Sequence, residues 1–147
     1  MNYTFIPKHP SAGAKGTGTN ISFKNAQIIC RAIRRKKLSQ AKRLLGDIIE
    51  KKRSLSGKYY TKTAKEIMKL IESCEKNAEF KGLKNEMLFV YASAHRGRVF
   101  RRNRRRSKFG SRLKMTNMEV LLVEKGKEKL TGKRKTEIPE KVKMTEK

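Results

Sequence analysis

Acidic residues are scarce in this chain. Only 13 Asp and Glu accompany 39 Lys and Arg in 147 residues, so the formal net charge is +26. Two long segments, residues 1–46 and 87–118, contain no acid at all. An excess of one sign on this scale opposes compaction of the free chain and attracts polyanions. The composition therefore predicts that the partner is a nucleic acid or an anionic membrane surface, and that it docks where the basic residues are concentrated.

Other features that would define a class of protein are missing. No apolar run approaches the roughly 18 residues that a membrane-spanning helix needs, so we expect no membrane-embedded segment. The N-terminal sequence MNYTFIPKHPSAGAKG lacks the apolar core of a signal peptide, which predicts a cytoplasmic protein. The only cysteines are Cys30 and Cys74, and we expect both to be buried and reduced.

We also expect neither a metal site nor an active site. The histidines His9 and His95 stand alone, and two distant cysteines cannot complete a set of metal ligands. His95 could carry a proton, but the acid-free segment around it supplies no carboxylate for a nuclease; packing or a hydrogen bond to RNA is the favoured role. The glycines of residues 13–18 are not followed by the Lys-Ser or Lys-Thr pair of a phosphate-binding loop. The sequence thus predicts no enzyme, no cofactor and no small-molecule substrate.

Three segments carry apolar residues at helical spacing, after an N-terminal arm that we expect to be extended over residues 1–20. The first helix is predicted from Ser22 and ends before a Lys36-Lys37 break. The second has Ser39 as its predicted N-cap. The third opens with the capping-box sequence Thr63-Ala64-Lys65-Glu66 and ends at Gly82, which makes it the clearest of the three.

Two segments rich in aromatic and β-branched residues follow, MLFVYASA from Met87 to Ala94 and MEVLLVE from Met118 to Glu124. We predict that they are two strands joined by a long basic hairpin, residues 95–112. Each arm could reach about 30 Å if it is fully extended. Free in water such an arm would fray, because its cations repel each other and it has little apolar surface to pack. The Lys-rich tail, residues 125–147, is predicted to be disordered.

The stretch from Ala92 to Lys114 holds eight arginines and two lysines. Guanidinium groups grip phosphate oxygens with two donors and stack on bases, whereas lysine acts as a point charge. Phe100 and Phe109 are interleaved and could stack on splayed bases. The candidate nucleic-acid-binding residues are Arg96, Arg98, Arg101, Arg102, Arg104, Arg105, Arg106, Lys108, Arg112 and Lys114, together with Lys24, Arg31, Arg34, Arg35, Lys36 and Lys37 on and after the first helix.

Composition alone leaves three interpretations of this stretch open. It could insert into structured RNA, package DNA, or form a disordered arm with only non-specific affinity. A DNA-packaging protein would present an apolar face for dimerisation, and no unused apolar stripe is visible in the sequence. Insertion into folded RNA is favoured because small residues such as Gly97 and Gly110 let the backbone approach a partner closely.

The order of the predicted elements resembles the large-subunit ribosomal protein family called L-twenty-two in bacteria and L-seventeen in eukaryotes, over roughly residues 20–124. The most specific parts are Asn77-Ala78-Glu79-Phe80-Lys81-Gly82-Leu83, which closes the third helix, and Ala94-His95-Arg96-Gly97-Arg98, which enters the hairpin. Both resemble the archaeal branch. Two segments depart from the family pattern: the short loop Lys52–Lys58, and Arg106–Arg112 on the returning arm of a slightly shorter hairpin.

The resemblance implies an α+β domain over residues 21–124, in which three helices pack on a three-stranded antiparallel sheet with a long protruding basic β-hairpin. It places a first strand near Gly18–Ser22, which composition does not indicate. It also implies a cytoplasmic, ribosome-bound protein whose partners are large-subunit rRNA, neighbouring ribosomal proteins and the nascent polypeptide. The candidate residues of the hairpin would contact rRNA, and its tip, near Arg102–Ser107, would line the nascent-peptide exit tunnel.

Overall fold

A computed structural model describes residues 4–103, 107 and 109–124 of the chain. The elements are strand β1 (Ser11–Thr19), helix α1 (Phe23–Ile33), helix α2 (Leu38–Ile49), helix α3 (Thr61–Phe80), strand β2 (Leu88–Arg101) and strand β3 (Arg112–Glu124). One 3₁₀ turn, Asn85–Met87, leads from α3 into β2. Arg104, Arg105, Arg106, Lys108 and the Lys-rich tail lie outside the described residues, so the predictions for them stay predictions.

The three strands form one antiparallel sheet in the order β1-β3-β2. The last strand in sequence therefore lies in the centre and pairs with both others. Its register with β1 runs from Ser11↔Val123 to Thr19↔Thr116, and its register with β2 runs from Leu88↔Glu124 to Arg101↔Arg112. Three helices and a three-stranded antiparallel sheet confirm the predicted α+β class.

The core lies between the helices and one face of the sheet. Helix α1 contacts β2 and helix α3 contacts β1, while α2 packs against α3. The apolar stripes predicted for the helices are buried, as Ile29, Leu45 and Ile67 show with no exposed surface. On the sheet, Val90 and Leu122 are equally buried. Each such side chain stabilises the fold by about 1.5–3 kcal/mol relative to exposure.

The first strand differs from both expectations for it. It covers Ser11–Thr19, so all of it lies in the segment assigned to the N-terminal arm, and it overlaps the implied range Gly18–Ser22 only at Gly18 and Thr19. The small residues allow α3 to pack closely. Ala12 and Ala14 are buried, and a Cβ on Gly16 would lie 3.1 Å from Leu70 Cδ1. The sequence did not predict this strand, because large β-branched and aromatic residues are the usual signal for a strand and β1 consists mainly of small residues.

The predicted start of α2 was wrong. The helix begins at Leu38, its N-cap residue is Lys37, and Ser39 lies one residue inside it. The sheet fixes this position. Val90 N–H donates to Lys36 O at 2.9 Å and Arg35 N–H donates to Val90 O at 2.7 Å, so the backbone that enters α2 is tied to β2.

The predicted capping box of α3 was also wrong. The helix begins at Thr61, two residues before Thr63, and it has no side-chain cap hydrogen bond. Thr63 is buried within the first turns of the helix. Tyr60, the residue before the helix, is itself buried, so packing of its ring determines where the helix begins.

Both cysteines are buried and unpaired, as predicted. Burial raises the pKa of the Cys30 thiol to about 12 and that of Cys74 to about 11. The Cys74 thiol donates to Ala12 O at 3.3 Å, which links α3 to β1. Both thiols are therefore neutral near pH 7 and act as small apolar groups.

Candidate nucleic-acid interface

The strands β2 and β3 continue beyond the end of β1. The last partner of β1 on β3 is Thr116, whereas β2 stays paired with β3 as far as Arg101↔Arg112. Backbone hydrogen bonds continue this pairing, with Arg102 N–H donating to Ser111 O at 3.1 Å and Gly110 N–H donating to Arg102 O at 3.0 Å. The sheet thus narrows to a two-stranded ribbon, residues 96–102 and 111–115, which we call the extension.

The extension corrects the predicted strand bounds. We expected the strands to end at Ala94 and to resume at Met118, joined by the hairpin of residues 95–112. Instead β2 reaches Arg101 and β3 begins at Arg112. Backbone pairing does not depend on the side chains, so polar residues can continue a ladder that apolar residues began. The seven residues of β2 after Ala94 and the six residues of β3 before Met118 were not predicted to be strand, because their sequence is largely polar.

A β-bulge interrupts the base of the extension. The register advances from Arg96↔Thr116 to Val99↔Lys114, so β2 holds one more residue than β3 over this interval. Gly97 lies within it, and a Cβ at Gly97 would come within 3.1 Å of the Met115 carbonyl group. A larger residue here would require the facing backbone of β3 and the Asn117 side chain to shift. Since a bulge bends its strand and increases the local twist, Gly97 sets the direction in which the extension leaves the sheet.

Six of the candidate residues lie on the extension, and all six are exposed: Arg96, Arg98, Arg101, Arg102, Arg112 and Lys114. Among the described residues, none of them forms an ion pair with an acid. Two guanidinium groups lie over aromatic rings, Arg96 at 5.6 Å from the Phe23 ring centre and Arg98 at 5.9 Å from that of Phe100. The positive charge of the extension is therefore left for an external anion to neutralise.

Directly opposite positions on the extension even carry like charges. Arg101 pairs with Arg112 in the register, at the far end of the ribbon. Opposed like charges destabilise a strand pair by a few tenths of a kcal/mol up to about 1 kcal/mol. A ribbon selected for stability alone would place an acid at one of these positions. No acid among the described residues offsets the repulsion between Arg101 and Arg112.

The second group of candidate residues lies on α1 and the turn after it. Lys24, Arg31, Arg34, Arg35 and Lys37 are exposed, and Lys36 is half-buried. Arg34 and Arg35 line a small cleft of about 170 Å³ together with Phe5, Tyr91 and other residues. Phe5 stacks on Tyr91, with ring centres 5.0 Å apart. The structure therefore brings these two arginines beside an aromatic pair, in a cleft that the carboxylate of Glu119 also lines.

Sequence reasoning missed a buried carboxylate, Glu119. Its oxygens accept from Thr4 N–H at 3.1 Å, from the Thr4 hydroxyl at 2.8 Å and from Lys15 Nζ at 3.0 Å. Burial alone would raise the pKa of Glu119, but the hydrogen bonds from Thr4 and Lys15 and the charge of Lys15 lower it to about 2. Glu119 ends the acid-free segment and alternates with core residues of β3, so its position on the outer face was visible, but its partners were not.

His95 belongs to the same cluster. Its Nε2 lies 3.0 Å from the Thr4 hydroxyl, 3.2 Å from Ser93 Oγ and 3.9 Å from the nearer Glu119 oxygen. The sequence argument that no carboxylate accompanies His95 was therefore incomplete. The carboxylate is nevertheless occupied by donors from two other segments. The cluster holds the N-terminal segment against the sheet at the base of the extension.

Two features of the described residues bear on other functions. No group of three or more His, Cys, Asp and Glu side chains there could hold a metal ion. No helix in that part of the chain is long and apolar enough to cross a membrane.

Comparison with known proteins identifies a family to which the chain is similar. The family model described as Ribosomal protein L22p/L17e matches residues 14–120. The large ribosomal subunit protein uL22 of Archaeoglobus fulgidus is 38% identical over 124 residues, covering 69% of this chain and 80% of that protein. The uL22 protein of Methanocella arvoryzae is 39% identical over 109 residues, covering 60% of this chain and 71% of that protein. The uL22 protein of Methanococcoides burtonii is 29% identical over 142 residues, covering 82% of this chain and 94% of that protein.

Proposed function

Because the chain belongs to the ribosomal protein L22p/L17e family, a family of structural and non-enzymatic ribosomal proteins, we propose that it is a component of the large ribosomal subunit that binds large-subunit rRNA through the extension. The proposal includes a cytoplasmic, ribosome-bound location and contacts with neighbouring ribosomal proteins. Arg34 and Arg35, with the rest of the basic group on α1, form a second contact with the RNA.

The observation that supports this proposal most directly is the uncompensated charge of the extension. Six exposed cations lie on this ribbon, and none of them forms an ion pair among the described residues. Phosphate groups would neutralise these cations and remove the repulsion between Arg101 and Arg112. Arg104, Arg105, Arg106 and Lys108 join this surface on the evidence of the sequence alone.

Salt dependence of binding tests the proposal. With eight to ten phosphate contacts, the affinity for protein-free archaeal large-subunit rRNA should fall with salt along a log–log slope of about −6 to −9. Changing both Arg101→Gln and Arg112→Gln should reduce the slope by about 1.5 to 2, since two phosphate contacts are lost. The matched control, Lys62→Gln with Lys65→Gln, removes the same charge from exposed positions on α3 and should leave the slope closer to that of the wild-type chain.

Two results would contradict the proposal. Equal loss of slope in the test and control variants would mean that charge anywhere on the chain suffices, as in non-specific binding. Equal affinity for duplex DNA and for the rRNA under the same salt would favour the alternative of a DNA-packaging protein.

We propose further that the tip of the hairpin lines the nascent-peptide exit tunnel and contacts the growing polypeptide. Ser107, an exposed residue near the tip, can be changed to Cys and labelled with a photoreactive group. Cys30 and Cys74 will not compete for the label, because burial keeps their pKa values high. In stalled archaeal ribosomes a label at Ser107→Cys should cross-link to the nascent chain, and a label at Ser73→Cys on α3 should not. No cross-link from Ser107→Cys on assembled ribosomes would refute the tunnel assignment while leaving rRNA binding in place.

A further inference from the structure

Phe80, the last residue of α3, is the most exposed large apolar side chain in the described part of the chain, at 95%. Two other exposed aromatic rings have an evident context: Phe100 lies on the extension under Arg98, and Phe5 stacks on Tyr91. Phe80 has neither. Leaving such a ring in water forgoes about 1.5–3 kcal/mol of burial, so its position calls for a partner.

The backbone presents Phe80 rigidly. The helix closes with two hydrogen bonds, from Leu83 N–H to Ala78 O at 3.0 Å and from Gly82 N–H to Glu79 O at 2.9 Å. Gly82 has a φ of +70°, and together these features form a Schellman motif. Leu83 packs against the core, which anchors the turn. The ring therefore projects from a fixed point instead of a flexible loop.

The location of Phe80 is opposite the extension. Lys81, the next residue, donates from Nζ to Ser11 O at 2.8 Å, at the start of β1. Ser11 pairs with Val123 at one end of the sheet, and the extension leaves from the other end. The 14 residues of β2 separate these ends by roughly 40 Å at about 3.3 Å per residue. A contact at Phe80 would thus engage a different segment of a partner from the one along the extension.

The surroundings of the ring favour a nucleobase over a protein surface. Protein interfaces use clusters of apolar side chains, and no other exposed large apolar residue lies on α3 or on the described turn after it. A nucleobase needs only one ring face. Lys76, one helical turn earlier on the same face, and Lys84 are exposed and form no ion pair with the described residues. The adjacent Glu79 accepts from Asn85 Nδ2 at 3.2 Å.

We propose that Phe80 is a stacking platform for an unpaired base of large-subunit rRNA, and that Lys76 and Lys84 bind the flanking phosphates. This inference rests on the proposed function and deepens it. The chain then binds RNA at both ends of its sheet and braces two RNA segments against each other. A stacking contact releases no counterions, so it contributes affinity without contributing to the salt slope.

The test compares three variants of the full chain for binding to protein-free archaeal large-subunit rRNA over a range of salt concentrations. Phe80→Ala should weaken binding roughly 5- to 100-fold with an unchanged slope. Phe80→Tyr, which keeps the ring, should bind like the wild-type chain. Phe80→Leu keeps apolar surface without a ring and should resemble Phe80→Ala. All three should melt at the wild-type temperature because the side chain contacts no core residue. Ultraviolet irradiation of the wild-type complex should yield a nucleotide adduct on the peptide that contains Phe80.

Three outcomes would overturn the inference. Wild-type affinity of Phe80→Ala, while the Arg101→Gln and Arg112→Gln double variant is weakened, would show that rRNA is bound without Phe80. Full rescue by Phe80→Leu would show that apolar burial, and not stacking, is what the site provides. If Phe80→Ala binds the RNA normally but fails to enter the assembled subunit, the partner is a neighbouring protein. Failure of the wild-type chain to bind the rRNA at all is a separate result that would refute the proposed function itself.

Discussion

Neutralising Glu119 should remove a measurable share of the stability of the fold. The pKa of this buried carboxyl is about 2, against an ordinary value of 4.5, because Thr4 and Lys15 bind its charged form. At 1.36 kcal/mol per unit, the shift corresponds to about 3 kcal/mol of stabilisation at pH 7. Since the folded-state pKa lies below the ordinary value, the contribution is complete above pH 4.5. It disappears as the pH falls from 4.5 towards 2.

The variant Glu119→Gln keeps the shape of the side chain and removes its charge. Its amide replaces one acceptor oxygen by an NH2 donor, which must face either the Thr4 donors or the Lys15 ammonium group, because these two partners bind different oxygens of Glu119. Urea unfolding followed by circular dichroism should give a free energy of unfolding about 3 kcal/mol below that of the wild-type chain at pH 7. The difference between the two chains should shrink to near zero at pH 2. Other acids titrate in both chains, so this difference isolates Glu119.

Two results would refute this reasoning. A difference that stays constant from pH 7 to pH 2 would mean that the substitution disturbs packing and that charge is irrelevant. No difference at any pH would mean that Thr4 and Lys15 do not hold the carboxylate in solution. Amide exchange at Thr4 gives an independent measure, since this N–H should lose protection in the variant at pH 7.

Three further predictions concern other parts of the chain. Gly97→Ala should lower the free energy of unfolding by about 1–3 kcal/mol in urea titrations, because its Cβ would meet backbone atoms of β3 that cannot move aside. Arg101→Thr should increase amide protection along the extension of the free protein by removing the repulsion with Arg112, and should at the same time weaken rRNA binding in a filter assay. Cys30 and Cys74 should react with a thiol reagent at pH 8 only as fast as the protein unfolds, since burial raises both pKa values; rapid labelling of the native chain would contradict this.

The sequence predicted the helices and the fold class well because hydrophobic periodicity reports directly on burial. The apolar stripes of α1, α2 and α3 all face the core, as their spacing indicated. The prediction from sequence failed where contacts between distant segments determine the local structure. The start of α2 is determined by hydrogen bonds to β2, and neither Ser39 nor Thr63 caps its helix, although both fit the preferred residue types.

Strand β1 and the extension show a second kind of failure. Alternate burial of Ala12 and Ala14 is a regular strand pattern, but small residues give almost no hydropathy contrast. In the extension β3 alternates cations with Leu113 and Met115, but the bulge interrupts the alternation on β2, so the sequence pattern does not show one continuous strand pair. For the interface, charge counting located the exposed cations, and neither it nor the spacing of residues could reveal Glu119 or the isolation of Phe80. Those two features depend on which distant segments meet.

The central position of β3 has a consequence for how the protein is made. Ser11 pairs with Val123, and Leu88 pairs with Glu124. Both outer strands are therefore synthesised long before β3, the strand that joins them. During translation β1 and β2 have open edges, and the helices have only part of the surface on which they pack. Closure depends on pairings between residues that are distant in sequence, which makes folding slow. Until β3 has paired, the strongly cationic chain lacks a closed sheet and remains exposed to any nearby polyanion.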